Sequence, residues 1–378
     1  MDLKADTEAL TDFDARSAGT DSERRAAGYV RDRLRAIGRQ AELEPLLVRP
    51  RWALAQAIAT TVAVIGSVVS VSNAGLGAAL VLAAATSSIL EATGVLHIVR
   101  RLTGTRASQN VSSPAQREKR GALLLTAHTD APRDSAFGRL GRRIGDPWLP
   151  IGGSMLLILA CCALRLLGFE GNGLTAVQLL PTLLLLAATP LLVDVELSSV
   201  GRGEADAAGA AVVTALAESL ADELDYLDVW VVITGARAPF AQGMRAWLRR
   251  HRRELDPERT VVLAIEALGS GGVRYTRREG PVLLSWRTNR DLVRLCDDIA
   301  GDDEDGAAFG AAPIKSRASG DAVAALSRGI PAIGITTAAA EPADPEAAAR
   351  AHDFCVEMAR RIDTELAPRL EEEPLRPA

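Results

Sequence analysis

The chain has 378 residues and a formal net charge of −5, so its charge gives no reason to expect a nucleic-acid partner. This length is enough for one large domain or two ordinary ones. Its four cysteines have neither metal-ligand nor disulfide-framework spacing, so we expect buried or lipid-facing thiols at Cys161, Cys162, Cys296 and Cys355.

The N-terminal segment is charged and amphipathic. Apolar residues recur at helical spacing from Ser22 to Ile37, and Gly38 fits the C-terminal stop of this predicted helix. The weak alternation of Glu42–Val48 is compatible with a strand. Because the opening is acidic and lacks an apolar core, it does not resemble a signal peptide.

Two long apolar stretches interrupt the polar sequence. No charged residue occurs from Trp52 to Leu90, which is about twice the roughly 20 residues that one bilayer span needs. The turn residues 72–75 in its centre predict a helical hairpin, Trp52–Val71 and Leu76–Leu96. A second hairpin is predicted at Trp148–Leu167 and Leu174–Val193. The alternative is a very apolar soluble core, but soluble helices need a polar face and these have none.

The predicted hairpins, within residues 52–97 and 148–193, give four transmembrane helices and place both chain termini on one side. Arginine is concentrated on that side, and Arg165 alone lies on the other. The positive-inside rule therefore predicts a multi-pass cell-membrane protein, in contact with the lipid bilayer, whose soluble domain and termini are cytoplasmic. The flanking arginines are Arg49, Arg51, Arg100, Arg101, Arg106, Arg139, Arg142, Arg143 and Arg202.

The polar segments 1–51, 98–147 and 194–378 read together as alternating strands and helices, which predicts one three-layer α/β domain. The strand candidates are Ala122–Ala127, Leu227–Thr234, Thr260–Ala267, Pro281–Trp286 and Ala332–Thr336. The helix candidates are Asp206–Leu220, Phe240–Arg250, Asn289–Ile299 and Pro345–Glu365.

One stretch, ALLLTAHTD from Ala122 to Asp130, combines a buried strand with residue types that suit a site. The apolar run ends on His128, and sites in α/β sheets form at the carboxyl ends of strands. Asp130 lies two residues on, so its carboxylate could hold the ring nitrogen of His128 that does not face a metal. The alternative is a histidine that is simply hydrogen-bonded to the next loop.

Seven motifs, spread over nearly all the polar segments, resemble the co-catalytic zinc aminopeptidase family. That family includes bacterial leucyl aminopeptidases, glutaminyl cyclases and the peptidase-like domain of glutamate carboxypeptidase. The resemblance implies a three-layer αβα fold with a mixed sheet, into which this chain inserts two membrane hairpins. The motifs are RSAGTDSERRAAGYVRDRLRAIG from Arg16, SQNV from Ser108, LLLTAHTD, EADAAGAAVVTALAESL from Glu204, VVLAIEALG from Val261, SGD from Ser319 and RGIPAIGITT from Arg328.

The family's mechanism implies two zinc ions and a glutamate general base, and this chain retains the residues for one zinc only. His128 matches the first histidine ligand, with Asp130 orienting it, and Glu266 matches a later acidic ligand. Asp206 matches the aspartate that bridges the two zincs after a one-residue shift, since the ungapped position falls on Ala205 beside Glu204. Asp206 also has a reading as a plain helix N-cap.

The family's Glu-Glu pair, which supplies the base and a ligand of the second zinc, falls on Arg237 and Ala238. Arginine has no lone pair for a metal and does not give up its proton, so we expect no base at Arg237. The family's late histidine is also absent after GITT. The resemblance therefore implies at most one zinc, held by His128, Asp206 and Glu266, or none if Arg237 pairs with one of these acids instead.

These losses favour a membrane-anchored pseudopeptidase with a binding or scaffold role towards a peptide or protein partner. One alternative is an active zinc metallopeptidase or amidohydrolase whose site has been rebuilt with Glu204, Asp321 or Glu341. The other is a membrane partner or transport-associated protein, which ranks last because the spans carry few polar residues.

Overall fold

The computed structural model describes residues 2–93, 96, 98–117, 119–237, 240–281, 285–301 and 306–368. The strands of these ranges are β1 Glu42–Val48, β2 Arg106–Ser113, β3 Gly121–His128, β4 Leu227–Thr234, β5 Thr260–Ile265, β6 Ser270–Glu279, β7 Trp286–Arg287, β8 Ala312–Lys315 and β9 Ala332–Ala339. The helices are α1 Leu3–Thr11, α2 Asp21–Ala36, α3 Trp52–Val69, α4 Ala74–Thr93, α5 Ala136–Ile144, α6 Trp148–Leu166, α7 Asn172–Leu197, α8 Glu204–Ser219, α9 Gln242–Arg250, α10 Arg290–Gly301, α11 Gly306–Phe309, α12 Asp321–Leu326 and α13 Pro345–Arg361.

All nine of these strands join one mixed sheet. Its order is β1-β2-β4-β3-β5-β9-β6-β7, and β8 pairs with β6. The four central strands, β4, β3, β5 and β9, run parallel, and antiparallel pairs flank them on both sides. The sheet takes strands from all three polar segments, since β1 precedes the first apolar hairpin and β2 and β3 lie between the two hairpins. The predicted mixed α/β sheet is confirmed.

Helices cover both faces of this sheet. Along β3, Leu123 and Leu125 pack on one face beneath α2, α8 and α13. Leu124 points to the other face, where α9 and α12 pack. Because successive side chains of a strand alternate between faces, a continuous apolar run of this length is the pattern of a strand buried on both sides.

The four long apolar helices α3, α4, α6 and α7 are each long and apolar enough to cross a membrane. They pack on one another around small and apolar side chains. Large exposed hydrophobic side chains concentrate here: in the described ranges, all of them except Leu47 lie between Ile58 and Leu197. An apolar surface of this extent is typical of contact with lipid.

Several polar side chains inside the helical bundle are paired with one another. Thr60 and Thr189 are 3.0 Å apart between their hydroxyl oxygens, and Arg165 donates to Gln178 Oε1 at 2.6 Å. At the end nearer the sheet, the buried side chains of Glu91 and Arg100 form an ion pair at 2.7 Å. Such pairing satisfies groups that hydrocarbon could not, so these residues serve packing between the helices.

The predicted elements agree with the structure to within a few residues at their ends, with two kinds of difference. The sequence pattern gave no indication of β6, which carries charged side chains on a partly exposed strand, nor of β2, β8 and the helices α1, α5, α11 and α12. The strand predicted at Pro281–Trp286 falls largely on residues 282–284, outside the described residues, and β7 begins at Trp286.

Candidate functional site

The carboxyl ends of three neighbouring parallel strands place the predicted site residues at one edge of the sheet. His128 is the last residue of β3 and pairs in register with Thr234, the last residue of β4. Glu266 follows directly after β5, which is the other neighbour of β3. Arg237 lies in the loop after β4. Loops at the carboxyl edge of parallel strands converge on one crevice, which is where ligands of open α/β sheets bind.

Asp206, rather than Glu204, lies against His128. Helix α8 begins at Glu204 with Gly203 as its N-cap, so the reading of Asp206 as the N-cap is wrong. Asp206 Oδ1 is 2.7 Å from His128 Nε2, and both side chains are buried. Glu204 points elsewhere and pairs with Arg202.

The two members of this pair favour their charged forms. Burial and the charge of Arg237 lower the pKa of His128, but its hydrogen bond to Asp206 and the charges of Asp206 and Glu266 together outweigh them, and the pKa lies above the ordinary value. Burial raises the pKa of Asp206, but the His128 bond and the charges of Arg237 and Arg16 bring it below the ordinary value. The hydrogen bond between them therefore favours the charged form of each partner.

Arg237 forms an ion pair with Glu266, donating from Nη2 to Oε2. Burial opposes the charge of Arg237, but the charges of Glu266, Asp206, Asp130 and Asp321 raise its pKa above the ordinary value. One guanidinium thus serves as the common counter-charge of a group of carboxylates. The sequence allows two states, a single zinc or an ion pair between Arg237 and one of the acids, and the geometry has the ion pair.

Asp130 contacts the loop that carries Arg237. Its Oδ1 accepts a hydrogen bond of 3.0 Å from the backbone N–H of Arg237. The predicted role of Asp130 in orienting His128 stays a prediction. Ala238, which occupies the second position of the family's Glu-Glu pair, lies outside the described residues.

Glu23 supports the same loop and was not identified as a site residue from the sequence. Its Oε1 accepts hydrogen bonds from Ser108 Oγ at 2.8 Å and from Ala236 N at 3.0 Å. Burial and the charge of Asp130 raise the pKa of Glu23 to about 7. The sequence did carry an indication that Glu23 is buried. It lies three residues before Ala26 and seven before Val30, which places it on the apolar stripe of α2.

Arg16 fixes two of the loops around the site. Its side chain donates to Thr129 O at 3.0 Å, Leu10 O at 2.6 Å and Gly203 O at 2.8 Å. These bonds tie the turn after β3 to the start of α8, and hence His128 to Asp206. The N-terminal motif that begins at Arg16 is therefore part of the site's framework.

Asp321 and Glu279 add two buried carboxyl groups behind Glu266. Asp321 Oδ2 accepts from Thr126 Oγ1 at 2.8 Å and Thr234 Oγ1 at 3.0 Å. Burial and the charge of Glu266 raise the pKa of Asp321 to about 6 and that of Glu279 to about 8. Of the three acids considered for a rebuilt site, Asp321 alone lies among these groups.

The arrangement does not fit a zinc centre. The three predicted ligands are divided between two pairs, with His128 on Asp206 and Glu266 on Arg237. In the ranges that the structure describes, no three His, Cys, Asp or Glu side chains are placed to share a metal ion. A guanidinium has only donors, so Arg237 brings no ligand to this position.

A cavity of about 1320 Å³ opens at this edge of the sheet. Asp130, Asp206, Arg237 and Glu266 line its inner end. The opposite wall is formed by the ends of the apolar helices and by α5, with Trp52, Phe137 and Trp148. The candidate site therefore faces the four-helix bundle.

Sheet order, helical layers and the crevice at the strand ends define the fold of the zinc-dependent exopeptidases and glutaminyl cyclases. A leucine aminopeptidase precursor from Bacteroides thetaiotaomicron is similar with a TM-score of 0.54 and 11% identity, over 95% of this chain and 96% of that one. A glutaminyl cyclase from Fimbriiglobus ruber is similar with a TM-score of 0.55 and 12% identity, over 95% of this chain and 94% of that one. A Zn-dependent exopeptidase from Parabacteroides distasonis is similar with a TM-score of 0.51 and 10% identity, over 96% of this chain and 97% of that one.

At identities of 10–12%, these likenesses show the fold alone. Neither a scan against protein-family models nor a search of the curated proteins finds a match. The aminopeptidase-like fold expected from the seven motifs is thus supported by structural similarity. What the site does has to be argued from its own residues.

Proposed function

We propose that this protein is a membrane-anchored, aminopeptidase-like protein that has lost peptidase turnover and acts as a binding or scaffold module. The ion pair between Arg237 and Glu266 carries the proposal. It places a permanent cation where the family's mechanism needs a base, and general-base assistance is worth about 10²–10⁴-fold in rate. It also engages one of the acids that a zinc ion would need.

The positive charge of Arg237 opposes metal binding in two ways. It repels a second cation at close range, and it stabilises the carboxylates that a metal would otherwise stabilise. The neighbouring pair acts in the same direction, because Nε2 of His128 is already engaged by Asp206 at 2.7 Å. We therefore expect zinc to compete poorly with the charge network.

The membrane placement is part of the proposal. The arginine-rich ends of the four apolar helices lie on the side of the sheet, and Arg165 lies at the far end. This asymmetry supports four crossings with the α/β domain and both termini in the cytoplasm. A peptide or protein partner would then approach the domain from that side.

The first test is the zinc content and zinc affinity of the full-length protein purified in detergent. We expect at most one weakly held zinc per chain. Changing both Arg237 and Ala238 to Glu should raise zinc affinity, because it restores two carboxylates and removes the cation. Full activity should not return, since the late histidine is still absent. His128→Ala in the same background is the matched control and should abolish the gained affinity.

The second test is hydrolysis of aminoacyl substrates by the unmodified protein. We expect no cleavage above the level of a His128→Ala variant. Robust cleavage that chelators inhibit and His128→Ala abolishes would overturn the proposal. That result would favour instead an active hydrolase with a rebuilt site.

A further inference from the structure

The cavity at the candidate site is bounded on one side by the α/β domain and on the other by the ends of the apolar helices. Its volume of about 1320 Å³ exceeds the roughly 300–1,000 Å³ of ordinary small-molecule sites. Trp52 and Trp148 stand at the first residues of α3 and α6, and both line the cavity. Aromatic residues at such helix ends mark the boundary between hydrocarbon and headgroups.

Most of the charged side chains that line this cavity and lack a partner are positive. Arg51, Arg106, Arg142 and Arg317 line it, and the guanidinium group of none of them forms a hydrogen bond or ion pair with any residue that the structure describes. Two of the three acids at the inner end are already paired, Glu266 with Arg237 and Asp206 with His128. The outer part of the cavity therefore offers guanidinium groups to an anion.

Three further carboxylates reach the cavity without reversing this balance. Asp130 accepts the backbone N–H of Arg237, and Glu196 accepts that of Leu54 at 3.4 Å. Glu341 is exposed. Arg133 also lines the cavity, and it donates to backbone carbonyls rather than to a carboxylate.

Helix α5 carries one of these arginines and is built to lie at a membrane surface. Its Phe137 is buried against Trp52 and Trp148, with ring centroids 6.2 Å and 5.4 Å away. Leu140 and Ile144 on the same helix are 37% and 51% exposed. A short helix with exposed apolar residues and an arginine-rich polar face is typical of an interfacial helix.

We infer that this cavity binds an anionic phospholipid from the membrane leaflet next to the α/β domain. Its phosphate would pair with the guanidinium groups of Arg51, Arg106 and Arg142, which suit phosphate geometry. Its acyl chains would lie against the aromatic wall of Trp52 and Trp148 and continue along the apolar helices. The inference rests on the proposed membrane crossing, and it names the class of ligand for the proposed binding role.

The experiment uses the full-length protein extracted in a mild detergent and incubated with equimolar phosphatidylglycerol and phosphatidylcholine of identical chains. Native mass spectrometry counts the lipids retained by each protein. We expect at least a tenfold preference for phosphatidylglycerol. Excess soluble glycerol phosphate should not displace it, since the site also holds the chains. Displacement by glycerol phosphate would mean that the site recognises a free phosphate, and would overturn the inference.

Two neighbouring arginines of α5 provide the matched variants. Arg142 lines the cavity and Arg143 does not, although both are exposed. Arg142→Ala should lower retention of phosphatidylglycerol about tenfold, and Arg143→Ala should leave it within twofold. Arg106→Ala, in β2 on the other side of the cavity, should act like Arg142→Ala. Equal losses for Arg142→Ala and Arg143→Ala, or no preference between the two lipids, would overturn the inference.

Membrane insertion is measured separately by alkaline extraction of membranes. If the protein is released, the proposed crossing fails and the lipid site fails with it. If it stays inserted but shows no lipid preference, the inference alone fails. Thermal unfolding of each variant shows whether a lost lipid reflects a lost fold.

Discussion

Arg237 shows how a single side chain can replace the charge that a metal would supply. The carboxylates around it belong to a crevice whose relatives in fold include zinc-dependent enzymes, and without a cation they would repel one another. The side chains of Arg237 and Glu266 are 23% and 14% exposed, so water screens their attraction only in part. This makes the pair a structural element as well as the feature on which the proposed loss of turnover rests.

Replacing Arg237 by Met should destabilise the folded state by about 3 kcal/mol, because it leaves carboxylates without their counter-charge. Thermal unfolding of the detergent-solubilised protein measures this change. The control is Arg139→Met, whose pair with Asp134 is more than half exposed and should contribute under about 0.5 kcal/mol. Adding Glu266→Gln to Arg237→Met should recover much of the loss. Equal losses for the two single variants would contradict this account.

The buried acids predict how stability depends on pH. The pKa of Glu279 is raised to about 8 by burial and by the charge of Glu266, well above its value of roughly 4.3 in an unfolded chain. A raised folded pKa contributes stability at low pH, and that contribution is lost as the pH rises through about 8. Unfolding temperature should therefore increase as the pH falls from 8.5 towards 6.

The matched variants for this prediction are Glu279→Gln and Glu258→Gln. Glutamine mimics the protonated acid, so Glu279→Gln should flatten the dependence by up to about 1.4 kcal/mol per pH unit in this range. Glu258 is exposed, and its replacement should leave the slope unchanged. An unchanged slope in Glu279→Gln would show that this group does not take up a proton on folding.

At the level of elements, the sequence predicted the buried parallel strands and the edge strand β1 well, and it missed β2, β6 and β8. Continuous apolar runs marked β3, β4, β5 and β9, because strands covered on both faces need apolar residues at every position. Strand β6 mixes Arg274, Arg277 and Arg278 with Thr and Tyr, so its periodicity is obscured. Helix α5 was also missed, since it lies among loop-like glycines and arginines.

The sequence identified several residues of the candidate site but not the contacts between them. His128 was singled out because it ends a buried strand, and Asp206 and Glu266 because they match acidic ligands of the family that the sequence resembles. Which groups pair could not be read from the sequence, since it depends on how closely α8 approaches β5. Gly209 decides that distance: a Cβ built there would lie 2.6 Å from Glu266 O.

Replacing Gly209 by Ala should push α8 away from the end of β5 and destabilise the fold by about 2 kcal/mol. The control is Gly28→Ala in α2, where a Cβ would meet no atom within 4 Å. That change should stabilise the helix by about 0.5–1 kcal/mol through its higher helix propensity. Thermal unfolding compares the two. A neutral Gly209→Ala would show that the helix can shift at little cost.

For the molecule as a whole, the two apolar hairpins are insertions into loops of one sheet. Each hairpin leaves the α/β domain and returns to it, so the tight turns that join α3 to α4 and α6 to α7 lie at the far end of the bundle. The polar contacts of Arg165 with Ser70, Thr175 and Gln178 hold those far ends together. A four-span arrangement then commits the domain and both termini to the same side.

Single-cysteine labelling with a membrane-impermeant maleimide tests this topology. The four native cysteines are buried, so background labelling should be low. Glu170→Cys lies in the exposed far turn between α6 and α7, and intact cells should be labelled there. Glu258→Cys lies on the exposed surface of the α/β domain and should react only after the cells are made permeable, because the positive-inside rule predicts that the arginine-rich side faces the cytoplasm.

The two probes separate the possible errors. Labelling of Glu258→Cys alone in intact cells would invert the topology and leave the four crossings in place. Labelling of both, or of neither, in intact cells would mean that the far turn and the domain share one side, and the hairpins would then not cross. The arginine distribution requires opposite behaviour of the two probes, since a near-absence of cations at the far turn is what permits that end to be translocated.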